Sequence, residues 1–140
     1  RLALGLRTAH RYQSNLALLF LDLNDFKGIN DVYGHAVGDR VLCTVARRLE
    51  GCVRATDTVA RMGGDEFTVL LTDIKSAHAV TEKVEQILTV MNAPLGAEFG
   101  DVRMPSCSIG VACYPTDGED ADTLLSHADS HMYQVKRRGR

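Results

Sequence analysis

The 140-residue chain carries 16 basic and 18 acidic side chains, has a formal net charge of -2, and is 45% hydrophobic. A chain of this length forms one domain and buries an adequate core without disulfides or metals. Its near-neutral charge gives no overall positive field, so we expect no nucleic-acid partner. The longest apolar run covers only residues 16–21, which is far too short to span a bilayer.

Hydrophobic periodicity predicts alternating helices and strands, with no internal repeat or linker. In chain order the predicted elements are a helix (2–12), a buried strand ending at an acid (16–21), a turn-like to helical segment (24–33), a helix closed by glycine (37–49), a hairpin (58–71), a helix (80–91), an irregular hairpin (95–104), a strand (106–114) and a helix (121–135). This order predicts an α+β fold in which helices pack on a largely antiparallel sheet.

The cysteines and two of the histidines give no metal-site signature. The four cysteines lie in apolar runs without a C-x-x-C pair, so we predict buried, reduced thiols, as in a reducing compartment. These residues are Cys43, Cys52, Cys107 and Cys113. His127 and His131 lie one helical turn apart, but no glutamate follows His127 as in H-E-x-x-H, so we predict surface histidines.

Three carboxylates are candidate ligands for a divalent cation. Asp22 follows the first predicted strand, and Asp65 and Glu66 lie side by side at the tip of the hairpin, after Gly63 and Gly64. If the hairpin lies next to that strand, the acids converge on one point and suit a hard cation such as Mg²⁺. If it lies elsewhere, they are ordinary solvent-exposed acids.

Short polar side chains between glycines follow the first strand closely. The segment that begins at Asp25 and Phe26 could present backbone amides to phosphates at a helix start. Asn30 and Asp39 could bond a guanine edge, because an amide and a carboxylate match its acceptor and donors. The alternative interpretation is that these residues cap helices and form turns, and for Asp39 alone we favour it.

Two pairs of charged residues have both a functional and a structural interpretation. Lys136 and Arg140 are four apart on the last helix and could hold polyphosphate, but the helix dipole also favours cations there, and on spacing alone we favour this structural interpretation. Arg54 and Asp57 precede the hairpin, and their spacing also suits a local ion pair of small energetic value.

Taken together, these residues resemble the family of GGDEF-domain diguanylate cyclases over nearly the whole chain. The matching blocks are Leu21-Asp22-Leu23, Phe26-Lys27, Ile29-Asn30-Asp31, Gly34-His35 with Gly38-Asp39, Ala60-Arg61-Met62-Gly63-Gly64-Asp65-Glu66-Phe67, Ser108-Ile109-Gly110-Val111, Tyr114-Pro115, and Ala128-Asp129 with Met132-Tyr133 and Lys136. Ordered blocks at compatible spacing are far more specific than the hairpin motif alone.

The resemblance implies a fold similar to nucleotide cyclases and polymerase palm domains, with a ferredoxin-like core. It implies condensation of two GTP into cyclic di-GMP with release of pyrophosphate, two Mg²⁺ or Mn²⁺ ions per site, and a transient homodimer. The implied metal ligands are Asp22, the Leu23 carbonyl, Asp65 and Glu66, of which Asp65 and Glu66 are also catalytic. The implied GTP contacts are Asn30 and Asp39 at guanine, Gly63 and Gly64 at the close approach, and Asp25, Phe26, Lys136 and Arg140 at the phosphates.

The resemblance also implies that Arg54 and Asp57 form a product-inhibition site for cyclic di-GMP. The chain departs from the family pattern at Asn24, where the family often has a second aspartate. A Leu-Thr-Gly-Leu-Pro-Asn-Arg-like segment typical of the family would precede residue 1, so we expect residues 1–140 to be one GGDEF domain of a longer, multidomain protein. We expect this domain in the cytoplasm, attached to sensory or effector domains and in a protein that could be membrane-tethered. The alternative is a non-catalytic GTP-binding module that regulates an attached domain, such as a cyclic di-GMP phosphodiesterase.

Overall fold

The computed structural model of the chain describes residues 1–139, so Arg140, a predicted phosphate contact, lies outside the described residues. The elements of the described part are α1 (Leu2–Tyr12), β1 (Leu16–Leu23), α2 (Phe26–Tyr33), α3 (His35–Gly51), β2 (Thr58–Gly63), β3 (Glu66–Leu71), α4 (Ala77–Met91), a 3-10 turn (Ala97–Phe99), β4 (Cys107–Tyr114) and α5 (Ala121–Arg138). No helix within residues 1–139 combines the length and apolar character needed to cross a membrane.

The strands form one antiparallel sheet in the order β2-β3-β1-β4. Every residue of the central strand β1 is buried, as its apolar run predicts. Its side chains alternate between two cores, so that Leu19 and Leu21 pack with α3 and α4, while Leu18 and Phe20 pack with α1 and α5. The predicted α+β fold is confirmed, and the alternation places Asp22 on the face covered by α5.

Helix α5 packs unusually close to the sheet because β4 carries a glycine beneath it. A Cβ atom at Gly110 would lie 2.1 Å from the Ala128 carbonyl oxygen and 2.2 Å from the Met132 nitrogen. Only glycine leaves room for two backbones at this distance. This close packing brings the C-terminal half of α5, with Lys136, to the end of β1.

The predicted hairpin over residues 95–104 is wrong, since this segment contains the 3-10 turn and no strand. Phe99 and Val102 are both buried and pack individually against the core between the sheet and helices α3 and α4. Their burial explains the apolar pattern that suggested a strand. The prediction for the first strand also needs correction, because β1 continues through Asp22 to Leu23.

The prediction of four buried thiols is correct only for Cys52, because Cys43 is exposed and Cys107 and Cys113 are half-buried. Cys43 lies on the outward face of α3, although the core residue Leu42 precedes it. All four thiols are free, and burial raises the pKa of Cys107 to about 11. These thiols are therefore protonated and poorly reactive where they are most enclosed.

The two histidines of α5 differ from each other. His127 is a surface residue, as predicted, and its side chain is 46% exposed. The surface prediction is wrong for His131, which is half-buried. Its Nδ1 accepts a hydrogen bond of 2.8 Å from the Val111 N–H on the outer edge of β4. His131 therefore satisfies a backbone donor of an edge strand, a need that helical spacing does not reveal.

Candidate active site

Antiparallel pairing brings the three predicted carboxylates to the same end of the sheet. Asp22 of β1 lies directly opposite Glu66 of β3. The Leu23 N–H donates a hydrogen bond of 3.1 Å to the Asp65 carbonyl oxygen, which fastens the hairpin tip to the end of β1. The condition for convergence, that the hairpin lies beside the first strand, is therefore met.

The hairpin tip is a two-residue turn formed by Gly64 and Asp65, between the paired residues Gly63 and Glu66. Gly64 has a φ of +46°, which a residue with a side chain rarely adopts. No atom lies within 4 Å of a Cβ built at Gly63 or Gly64, so the backbone is open to another molecule. Arg61 braces the turn, because its Nε donates a hydrogen bond of 3.0 Å to the Gly64 carbonyl oxygen.

The carboxylates destabilise one another electrostatically. Burial raises the pKa of Asp65 and that of Glu66, and the negative charge of Asp22 raises both further. Asp129 on α5 adds to the rise in the pKa of Glu66. Lys136 opposes these effects, with its Nζ 2.6 Å from Asp22 Oδ2. This group of acids would therefore be stabilised by further positive charge.

The donor chemistry of this group fits a divalent cation such as Mg²⁺, which prefers hard oxygen ligands. Within residues 1–139, however, no group of three or more His, Cys, Asp or Glu side chains already has an arrangement that could hold a metal ion. Asp22 is instead paired with Lys136. Binding of a cation here would thus require side-chain rotation, although the backbone positions of the three acids are already adjacent.

The predicted guanine contacts lie on two neighbouring helices. Asn30 on α2 packs against α3, and its Oδ1 would lie only 1.9 Å from a Cβ atom at Gly38. Asp39 is the next residue of α3 and lines an open cavity of about 390 Å³ between α3 and the hairpin. Arg61 and Phe67 also line this cavity. A cavity of ligand size, with both polar and apolar side chains in its wall, therefore lies between α3 and the hairpin.

Comparison with known proteins decides the family. The sequence model of the family described as "Diguanylate cyclase, GGDEF domain" matches residues 1–140. The chain belongs to the GGDEF family. Among relatives, it is 42% identical over 140 residues to diguanylate cyclase TpbB of Pseudomonas aeruginosa, with all of this chain and 32% of that protein covered.

The GGDEF domain is also 42% identical to the bifunctional diguanylate cyclase/cyclic di-GMP phosphodiesterase MucR of Pseudomonas aeruginosa, covering 20% of that protein. The crystal structure of the GGDEF domain of TpbB superposes with a TM-score of 0.94 at 42% identity, covering 99% of this chain and 86% of that chain. The chain thus spans a third or less of these two curated relatives.

Two further predicted phosphate contacts of the GGDEF domain, Asp25 and Phe26, lie at the same end of the sheet. Asp25 directly precedes α2 with a φ of 55°, and no bond from its side chain caps the helix. Phe26 is the first residue of α2 and is buried. Because only Asn24 and Asp25 separate β1 from α2, the first turn of this helix lies beside the carboxylates.

The predicted inhibitory pair is a connected local structure. Arg54 Nε lies 3.3 Å from Asp57 Oδ2, and Asp57 also accepts hydrogen bonds from the backbone N–H groups of Arg54 and Thr72, at 2.9 and 3.0 Å. Burial alone would raise the pKa of Asp57, but the hydrogen bonds from Thr72 and Arg54 outweigh it and lower this pKa. The alternative interpretation, a local ion pair of small energetic value, therefore understates the structural role of Asp57, which also accepts hydrogen bonds from two backbone N–H groups.

Sequence reasoning gave no role to several polar residues around these sites. Arg61 and Asp129 lie inside matching blocks of the family, so their position was a usable signal. A cavity of about 180 Å³ beside Arg54 has Lys75 and Lys83 in its wall, which sequence spacing does not group with Arg54. These lysines come from the α4 region and reach the cavity only through tertiary packing.

Proposed function

We propose that this GGDEF domain is an active diguanylate cyclase that condenses two GTP into cyclic di-GMP. The observation that carries the proposal is the assembly of Asp22, Asp65 and Glu66 on paired backbones, with Lys136 beside them. In a member of this family, the acids of such a group can bind the cations and the lysine can bind the phosphates of a nucleoside triphosphate.

The reaction consists of two phosphoryl transfers. The 3'-hydroxyl oxygen of one GTP bonds to the α-phosphorus of the other, while the bond from that phosphorus to the pyrophosphate oxygen breaks and the hydroxyl proton is lost. Repetition in the other direction closes the ring, so two GTP give one cyclic di-GMP and two pyrophosphates. Because one domain would hold one GTP, two domains must face each other, and we propose a transient homodimer.

The carboxylates Asp22, Asp65 and Glu66, with the Leu23 carbonyl, would hold Mg²⁺ or Mn²⁺. When bound, such ions favour ionisation of the attacking hydroxyl and neutralise charge on the pyrophosphate. We also propose that Asp65 or Glu66 accepts the hydroxyl proton.

The other contacts position the nucleotide. Asn30 and Asp39 would bond the guanine edge, and the open backbone at Gly63 and Gly64 would allow the sugar and phosphates to approach. The start of α2 at Asp25 and Phe26 would offer backbone amides to the triphosphate. Lys136 and Arg140 would bind the same phosphates as cations.

The test is to incubate the full-length protein, freed of bound cyclic di-GMP, with GTP and Mg²⁺ and to quantify cyclic di-GMP and pyrophosphate. Asp65→Asn and Glu66→Gln preserve side-chain shape and should each abolish turnover. Asp101→Asn, which removes an exposed acid elsewhere, is the matched control and should leave turnover unchanged. GTP binding without product at high protein concentration would refute the cyclase activity, and full activity of both site variants would refute the roles of the acids.

Product inhibition is a separate part of the proposal. The pairing of Arg54 with Asp57 beside cavities of about 180 and 420 Å³ supports a cyclic di-GMP site there. Arg54→Ala should raise the concentration of cyclic di-GMP that halves the initial rate. An unchanged inhibition constant would count against this site.

A non-catalytic role is the second candidate, and the likeness to MucR, named as both cyclase and phosphodiesterase, favours considering it. In that case the domain would bind GTP and change the activity of an attached domain. The two candidates differ in one measurement, because a regulatory domain binds GTP without releasing pyrophosphate from it.

A further inference from the structure

Asn24 makes three hydrogen bonds that fasten the end of β1 to the start of β4. Its backbone N–H donates to the Ser106 carbonyl oxygen at 2.8 Å. Its side-chain Nδ2 donates to Ser106 Oγ at 3.0 Å, and its Oδ1 accepts from Ser108 Oγ at 3.1 Å. Both ends of the amide are therefore used, and we call these three residues the amide clamp.

The amide clamp borders the carboxylates directly. Ser108 is 5% exposed and lies opposite Asp22 in the β1–β4 pair, while Glu66 lies opposite Asp22 on the other side. Ser108 shares with Asp22 the face covered by α5, and its hydroxyl donates to Asn24 Oδ1, so the Asn24 side chain lies on this face although Asn24 itself follows the end of β1. Leu23 lies between Asp22 and Asn24 and donates its N–H to the Asp65 carbonyl. The amide clamp thus lies next to the Leu23 N–H, whose hydrogen bond connects the end of β1 to the hairpin tip.

We propose that Asn24 is a positioning residue, which acts through Ser106 and Ser108 to hold Asp22 and the Leu23 carbonyl against the hairpin acids. This role rests on the proposed function, since it concerns the residues that would bind the cations. Asn24 itself has no part in the reaction. The clamp orients groups that touch the cations, as hydrogen bonds behind metal ligands do in general.

The variants separate hydrogen bonding from shape. Asn24→Leu keeps the volume and loses both side-chain bonds, whereas Asn24→Asp keeps two oxygens to which both serine hydroxyls can donate. The double variant S106A/S108A removes the clamp from the other side. Ser76→Ala is the matched control, because it removes a serine hydroxyl that caps α4, accepting from the Ala79 N–H at 3.1 Å far from the site.

The first readout is Mn²⁺ affinity of the full-length protein without nucleotide, measured from the electron paramagnetic resonance signal of free Mn²⁺. Asn24→Leu and S106A/S108A should each weaken it about tenfold, and Asn24→Asp should retain it within about threefold. Hydrogen exchange at the Leu23 amide should accelerate in the first two variants only. In steady-state assays the loss should fall on kcat, with KM for GTP nearly unchanged.

Wild-type Mn²⁺ affinity in Asn24→Leu would overturn the proposal. So would an equal loss in Ser76→Ala at an equal drop in melting temperature, since the effect would then be general destabilisation. A loss in Asn24→Leu that S106A/S108A does not reproduce would also overturn it. If the wild type makes no cyclic di-GMP, the proposed function fails, yet Mn²⁺ affinity and hydrogen exchange still decide the role of Asn24.

Discussion

Replacing Asp57 by alanine should destabilise the fold far more than replacing its partner Arg54. The Asp57 side chain is 1% exposed and that of Arg54 is 55% exposed. Asp57 accepts the N–H groups of Arg54 and Thr72, and its Oδ1 also lies 3.4 Å from the Thr72 hydroxyl. It therefore joins the turn before β2 to the end of β3.

The size of the effect follows from what each variant leaves behind. Asp57→Ala leaves two partly buried N–H groups without an acceptor, each worth about 1–3 kcal/mol, and a guanidinium without its carboxylate. We expect a loss of about 3–5 kcal/mol in the free energy of unfolding. Arg54→Ala removes a half-exposed ion pair and a bond to the Thr72 carbonyl that water can replace, so we expect a loss of about 1 kcal/mol or less.

Urea denaturation followed by circular dichroism measures both losses. Asp57→Asn is the intermediate variant, because it keeps one oxygen acceptor and loses the charge, and should fall between the other two. Equal losses for Asp57→Ala and Arg54→Ala, or a loss below about 1 kcal/mol for Asp57→Ala, would refute the argument from unsatisfied donors. The expected difference makes Arg54→Ala the informative variant for product inhibition, since Asp57→Ala would confound binding with unfolding.

Three further predictions concern pH and glycine positions. Hydrogen bonds to Asp57 hold its folded-state pKa below the ordinary aspartate value of about 3.9, so its stabilisation is complete above that pH and is lost as pH falls towards the folded pKa. Asp57→Asn should therefore show a shallower fall in melting temperature below about pH 4. Gly38→Ala would place a Cβ 1.9 Å from Asn30 Oδ1 and displace that amide, so KM for GTP should rise roughly 3- to 10-fold. Gly51→Ala is the control, because the space around Gly51 is open, and it should leave KM unchanged. Gly110→Ala would place a Cβ against the backbone of α5, 2.1 Å from the nearest oxygen. Because both groups in contact are backbone, the free energy of unfolding should fall by about 3 kcal/mol. Thermal unfolding measures this loss, and an unaltered melting temperature would contradict the prediction.

The sequence predicts those elements whose pattern is local. The apolar run of β1, the amphipathic faces of α3 to α5 and the hairpin are confirmed, because periodicity follows directly from burial. The adjacency of the carboxylates could only be stated as a condition. Strand register depends on partners distant in the chain, and only the structure places Asp22 opposite Glu66.

The wrong predictions share a physical cause, which is that tertiary neighbours decide the outcome. Phe99 and Val102 resemble strand residues but have no neighbouring strand to pair with. Cys43 has an apolar neighbour and nevertheless faces solvent, and His131 finds a backbone donor on the edge of β4. The resemblance to the family proposes site residues, yet it did not reveal the contacts of Asn24, which depend on serines 82 and 84 positions away.

The charges of the candidate site reach one end of the sheet by two independent routes. The acids depend on strand pairing, through the opposition of Asp22 and Glu66 and the bond from Leu23 to the hairpin tip. Lys136 depends instead on the packing of α5, which approaches the sheet closely only above Gly110. A substitution that lifts α5 would therefore remove the positive charge and leave the three acids adjacent. Electrostatic balance at this site is a property of helix–sheet packing, although the position of the carboxylates is a property of the sheet alone.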